Sequence, residues 1–195
     1  MRRTTVRIGL FSMAMIFAVA IIVIGFGYDR YLKEGPLLAK RTLIIEKGST
    51  VAQIAKQFWR AGIIQDVSIF RIGIRLDGMD EIMRAGEYEF PARVSMRDAV
   101  RLVASGKTVK RRLTIAEGLS TQQILNLLSV KVGLEGRVTR EIATEGSLLP
   151  ETYFFSYGDK REELVIRMKT AMDIELKKIW AMRRETIAIG SPQEA

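Results

Sequence analysis

The chain of 195 residues contains neither cysteine nor histidine. No disulfide can therefore staple an exported domain, whose fold must rest on ordinary apolar cores. Thiol nucleophiles, histidine-based triads and His/Cys zinc sites are excluded as well. Any chemistry falls to carboxylates, hydroxyls, amides or Lys/Arg. Charge is also missing where it is usually plentiful: no acidic residue precedes Asp29, and no charged side chain of either sign occurs from Ile8 to Gly27. A recognition motif or basic–aromatic alternation for nucleic acid is absent too, so the formal charge of +9 does not argue for that partner.

The charge-free run is twenty residues long. At about 1.5 Å per residue, a helix of that length crosses a hydrocarbon core of roughly 30 Å. Arg2, Arg3 and Arg7 precede it, so the first residues are expected in the cytoplasm and the rest outside. Tyr28 and Tyr31 stand where an interfacial aromatic belt is expected. Ala18-Val19-Ala20 looks like a signal-peptide cleavage site, but Ile-Ile-Val-Ile follows it directly. A signal's apolar core spans about 7–15 residues, so an uncleaved anchor is the better reading. Removing the first twenty-seven residues leaves a formal charge of +6, which suits work beside an anionic polymer or anionic lipid head groups.

Asp29 to Arg41 reads as a polar connector. Leu43-Ile44-Ile45 is then strand-like, and Ser49 is placed to cap a helix with Val51, Ile54, Ala55 and Phe58 at helical spacing, closed by Gly62. Ser68 to Leu76 predicts a second short helix. Ala85 to Phe90 alternates like a strand, and Ser95 to Ser105 predicts a helix ended by Gly106. The first pattern returns seventy residues on: strand Leu113-Thr-Ile115, cap Ser120, apolar face Ile124, Leu127 and Leu128. Gly48 matches Gly118 and Gln53 matches Gln123. Lys107, Lys110, Arg111 and Arg112 form a charge run, read first as a solvated strand face and second as a contact for an anionic glycan. Glu162 to Arg184 predicts one amphipathic helix whose stripe includes Leu164, Val165, Met168, Met172, Leu176, Ile179 and Trp180.

The stretch Glu145-Gly-Ser-Leu-Leu-Pro-Glu-Thr-Tyr153 sets one carboxylate beside apolar residues and Gly/Pro turn signals. Burial penalises a carboxylate's charged form, and a carboxylic acid so tuned can protonate a glycosidic oxygen. Glu145 is expected to lie against Leu148, Leu149 and Phe154, with Gly146 leaving room beside it. A solvated or helix-capping glutamate is the bland alternative.

The anchor, the glycine-turn repeat and the string Glu145 to Phe155 together resemble the MltG (YceG-like) endolytic murein transglycosylases. The resemblance implies an α+β protein with a cytoplasmic tail (1–7), a transmembrane anchor (8–27), a linker (28–41), a LysM-like α+β subdomain (42–108) and an α+β catalytic domain (109–195). It implies a single-pass protein of the inner (cytoplasmic) membrane whose bulk is extracytoplasmic. The implied activity is cleavage of the MurNAc–GlcNAc bond of peptidoglycan with 1,6-anhydro-MurNAc formation. Glu145 would be the catalytic residue, and no cofactor or metal is implied. Thr152 and Tyr153 would support the cleft through hydrogen bonds or stacking on sugar, with core packing of Tyr153 equally open. Glu151 stands where family members usually carry Asp. Implied partners are glycan strands, membrane lipid and cell-wall synthesis proteins. Family members continue beyond residue 195, so an incomplete catalytic domain is expected, and a tethered peptidoglycan-binding module without catalysis is the alternative.

Overall fold

The computed structural model describes residues 2–183 and Ser191, with side chains from Met13 onward. The protein is a mixed α+β chain that divides into two compact units, Met1–Thr108 and Val109–Ala195.

The first unit opens with α1 (Arg2–Leu32), of which Met13–Leu32 is apolar enough and long enough to cross a membrane, with mean hydropathy 1.7. No other helix among the described residues meets that description. Then come β1 (Arg41–Ile45), α2 (Val51–Arg60), α3 (Val67–Leu76), β2 (Gly86–Phe90) and α4 (Met96–Ser105). β1 and β2 pair antiparallel, with Arg41 opposite Phe90 and Ile45 opposite Gly86. Both short helices after β1 begin on a side-chain cap. Thr50 rather than Ser49 caps α2, because the Gln53 side chain reaches back three residues to complete a capping box. Asp66 caps α3 through the amides of Ser68 and Ile69. Ser95 caps α4, and Gly106 ends it in the left-handed region at φ 69°.

The unit's core centres on Phe58, whose ring meets Phe70 at 5.6 Å and Phe90 at 5.0 Å, both edge to face. Two expectations for the C-terminal end of this helix change here. α1 continues through Leu32, so the connector begins later than residue 28. Tyr31 is fully buried in this core instead of standing in an aromatic belt, and Tyr28 packs against the same cluster. The Tyr31 ring lies so close on Gly73 that a Cβ at that glycine would overlap it. Both tyrosine hydroxyls donate to the Asp77 carboxylate, each at 3.3 Å, and Arg97 Nε stands 3.5 Å from the same group. A helix that must cover apolar surface in a folded unit is held more firmly by such contacts than by a belt position.

The second unit runs β3 (Lys110–Thr114), α5 (Thr121–Val130), β4 (Leu134–Glu135), a 3₁₀ turn at Arg140–Ile142, β5 (Thr152–Ser156), β6 (Asp159–Lys160) and α6 (Arg161–Ala181). β3 pairs antiparallel with β5, and the short β4 pairs parallel with β6. α5 repeats the capping box of α2: Ser120 accepts from the Gln123 amide while Gln123 accepts from the Ser120 amide. Its buried face is Ile124, Leu125 and Leu128; Leu127, expected inside, is exposed. Leu113, Ile115, Leu134, Ala143, Leu148, Tyr153, Phe155, Leu164, Val165 and Met168 complete the core. Only the first two turns of α6 are buried. Met172, Leu176 and Trp180 are half-buried and Ile179 is 54% exposed, while Arg184 lies outside the described residues. Arg161 ties the start of α6 to its surroundings, donating to the carbonyls of Leu128 and Gly136 at 2.7 Å each.

Gly73→Ala should cost about 1–3 kcal/mol by overpacking against Tyr31. Gly25→Ala, where a Cβ meets open space, should cost nothing measurable. Chemical denaturation of the full chain in detergent, followed by circular dichroism, checks the pair.

Candidate active site

The motif loop is built from three backbone facts. The Ser147 amide donates to the Thr144 carbonyl at 3.2 Å, closing a four-residue turn. Gly146 occupies the third position at φ 73°, a conformation that side-chain-bearing residues adopt at a cost. Glu145 therefore sits at the second position, at the turn's tip. Two hydroxyls brace the same carbonyl: Ser147 at 2.7 Å and Thr121, from the start of α5, at 3.0 Å.

The carboxylate itself is aimed at α5. The Thr121 amide donates to Glu145 Oε1 at 3.0 Å and to Oε2 at 3.2 Å. Thr121 is the first residue of that helix, where backbone amides lack intrahelical partners and the helix dipole favours negative charge. The capping box occupies the Gln123 amide, and Glu145 takes the Thr121 amide. One donor, shared between both oxygens, thus fixes the carboxylate's direction, and Glu145 remains exposed with further lone pairs open to a ligand.

The expected apolar enclosure of Glu145 is not built by the described residues. Leu148 is buried in the unit's core, and Phe154 is 56% exposed on the sheet. The reason lies in strand alternation. Tyr153 and Phe155 face inward, so Phe154 must face outward.

Tyr153 is buried, and its hydroxyl donates to the Leu149 carbonyl at 2.8 Å. That bond holds the motif loop against β5, and the ring's place in the core leaves it no face for stacking. Burial pushes the Tyr153 hydroxyl's pKa up, the Glu151 carboxylate adds to the rise, and Arg167 opposes it. Thr152 stands opposite Thr114, with the two hydroxyls 2.9 Å apart. Pairing of β3 with β5 also brings Arg112 opposite Phe154 and Lys110 opposite Ser156, where Lys110 Nζ donates to Ser156 Oγ at 2.8 Å. The sheet's outer face therefore combines an exposed aromatic ring, hydroxyls and cations. Phe154 was missed as a surface residue in the sequence. The period-two pattern of Thr152 to Ser156, with Tyr153 and Phe155 as the inward set, is the signal that could have found it.

With an apolar N-terminal helix and two α+β units, the second offering an accessible carboxylate on a glycine turn, the chain is of the class of mixed α+β proteins able to anchor in a membrane. The model of the YceG-like family matches residues 43–195, and the chain belongs to that family. Among solved structures it is similar to a protein described as YceG-like from Listeria monocytogenes, at 22% identity and a TM-score of 0.35. The match covers 73% of this chain and 57% of that one, so the chain spans little more than half of that relative's length. No curated protein matches the chain.

Two expectations test this geometry. Glu145→Gln keeps an acceptor for the Thr121 amide and should leave stability almost unchanged, whereas Glu145→Ala should cost about 0.5–2 kcal/mol, as loss of a helix-capping partner does. Urea denaturation of the two variants separates them. The second concerns alkaline pH. The folded pKa of Tyr153 lies above the unfolded value of about 10. Its contribution is therefore present below that pH and is lost as pH rises further, when the unfolded chain releases the proton first. Tyr153→Phe should make the alkaline decline shallower than in the parent, at a cost near neutrality of about 0.5–1.5 kcal/mol for the lost hydrogen bond. Tyr88, also raised by burial in the first unit, contributes the same sign in both proteins and cancels in the comparison.

Proposed function

We propose that the protein is a membrane-anchored endolytic murein transglycosylase with Glu145 as its catalytic residue. The observation that carries this reading is the family match over residues 43–195, which includes the Glu145 turn, together with that carboxylate's exposure and fixed direction. YceG-like proteins are generally lytic transglycosylases.

In the proposed reaction, protonated Glu145 gives its proton to the glycosidic oxygen between MurNAc and GlcNAc as that bond breaks. The resulting carboxylate then takes the proton of the muramoyl C6 hydroxyl, whose oxygen bonds to C1 and closes the 1,6-anhydro ring. The carboxyl proton is restored and no water is consumed, so one group serves both steps. Two-carboxylate hydrolysis would instead leave a reducing end. The Thr121 amide holds Glu145 in place through both steps. The outer face of β3 and β5 suits the strand itself: Phe154 offers an apolar ring to a pyranose, and Arg112 and Lys110 offer donors to the polymer's carboxylates.

The first unit supports the placement. Its apolar helix would cross the cytoplasmic membrane with Arg2, Arg3 and Arg7 inside, and the small α+β fold after it would serve as the LysM-like module near the nascent glycan.

The purified 195-residue chain in detergent, incubated with murein glycan strands, should release fragments ending in 1,6-anhydro-MurNAc, read by mass spectrometry. Glu145→Gln should lower the rate by about 10²–10⁴ with the fold intact. Reducing ends, or activity surviving Glu145→Gln, would overturn the mechanism. Absence of any cleavage would overturn the assigned activity.

A further inference from the structure

The first unit carries an apolar groove of about 220 Å³ that the proposed chemistry does not use. One wall is the outer part of α1, at Val23, Ile24 and Gly27; the other is α3, at Ile69, Ile72 and Leu76. Ile72 and Leu76 are 58% and 60% exposed, on a helix otherwise committed to the core through Phe70, Gly73 and Ile74. Water is an unfavourable neighbour for such a surface.

Its depth identifies a better one. The charge-free run ends at Gly27, and Tyr31, four residues on, is already fully buried in the folded unit. Four helical residues rise about 6 Å. The interfacial layer on each side of a bilayer is about 5–8 Å thick, from roughly 40–45 Å overall against a 30 Å core. α3 packs on this same turn through Gly73 and Tyr31, and Asp77 at its end holds both tyrosine hydroxyls. If α1 spans the membrane, α3 has no slack with which to stand clear of the head groups.

The chemistry of α3 matches that depth. Arg71 and Arg75, one turn apart and both exposed, flank Ile72 on the side away from Gly73. They line a separate depression with Val51, Ala52, Ile74 and Asp80, beside the apolar groove rather than in it, and the single carboxylate there leaves the arginines in excess. An amphipathic helix with an apolar edge and flanking arginines is the form that beds into the boundary between head groups and acyl chains. Guanidinium groups there meet phosphate in bidentate geometry.

We propose that the α1–α3 groove is a lipid site: an acyl chain of a bilayer glycerophospholipid fills it, while head-group phosphates at the same depth pair with Arg71 and Arg75 on the neighbouring face of α3. α3 is then a second, interfacial membrane contact that sets the height and tilt of the first unit over the bilayer. This rests on α1 crossing the membrane, and the test separates the two claims.

Because the chain has no cysteine, single-cysteine variants need no prior substitution. Val19→Cys, Leu38→Cys, Ile72→Cys and Leu76→Cys, each labelled with bimane, would be reconstituted as full-length chain in phosphatidylethanolamine–phosphatidylglycerol vesicles. Quenching would be read with phospholipids doxyl-labelled near the carbonyl end or deep in the acyl chain. The site predicts at least about twofold quenching at positions 72 and 76 by the shallow label, stronger than by the deep one. Quenching should be absent at position 38, which is 93% exposed in the free chain, and strongest with the deep label at position 19. Adding Arg71→Glu and Arg75→Glu should weaken the signal at position 76. Quenching at 19 but not at 72 or 76 overturns the lipid site while leaving the span intact. So does a groove sealed from both labels by a second copy of α1. Absence of quenching at 19 overturns the span itself.

Discussion

The close seat of Tyr31 on Gly73 governs how the first unit can exist at all. A glycine is needed because the ring occupies the volume where a Cβ would stand. Asp77 then receives both tyrosine hydroxyls and the approach of Arg97, so the helix that begins in the apolar run ends as a core element of a folded unit. A unit joined to such a helix by a free polar linker could take many positions relative to it. Here the helix runs into the folded unit without a linker, because the same residues serve apolar helix, core and hydrogen-bond network without interruption.

The second unit turns on a different contact, that between the Glu145 carboxylate and the Thr121 amide. A helix start has more backbone donors than it can use, and the Ser120–Gln123 capping box settles only some of them. The remaining donor orients a carboxylate presented from a glycine turn. The residue that caps α5 is thus also the one proposed as the acid–base group. What a helix-end donor supplies is direction, not enclosure, and the carboxylate stays exposed.

Local signals were read well along the chain where they depend on neighbours a few residues apart. The capped helices after β1 and β3, the left-handed glycines Gly62 and Gly106, and the strand at Gly86–Phe90 all stand where spacing and turn chemistry place them. The misreadings are small and local in cause. The sequence pattern points to Ser49 as the cap of α2, but Gln53 reaches Thr50; it points Leu127 inward, but Leu125 is the one that meets the core. A helical face drawn through three residues is easily rotated by one position.

By itself the sequence determined the α+β class, the long apolar N-terminal helix and the chemistry open to a chain without cysteine or histidine. It also singled out Glu145 on its glycine turn. These follow from composition and short-range periodicity, which neighbouring residues carry in full. Only the tertiary structure decided that Tyr31 belongs to a core, that Glu145 is an exposed partner of the α5 amide, and that Phe154 looks outward while Tyr153 holds the loop. Each of those depends on groups that are distant in sequence, Tyr31 with Gly73, Glu145 with Thr121, β5 with β3. Burial is a property of what the rest of the chain brings alongside, and no local pattern contains it.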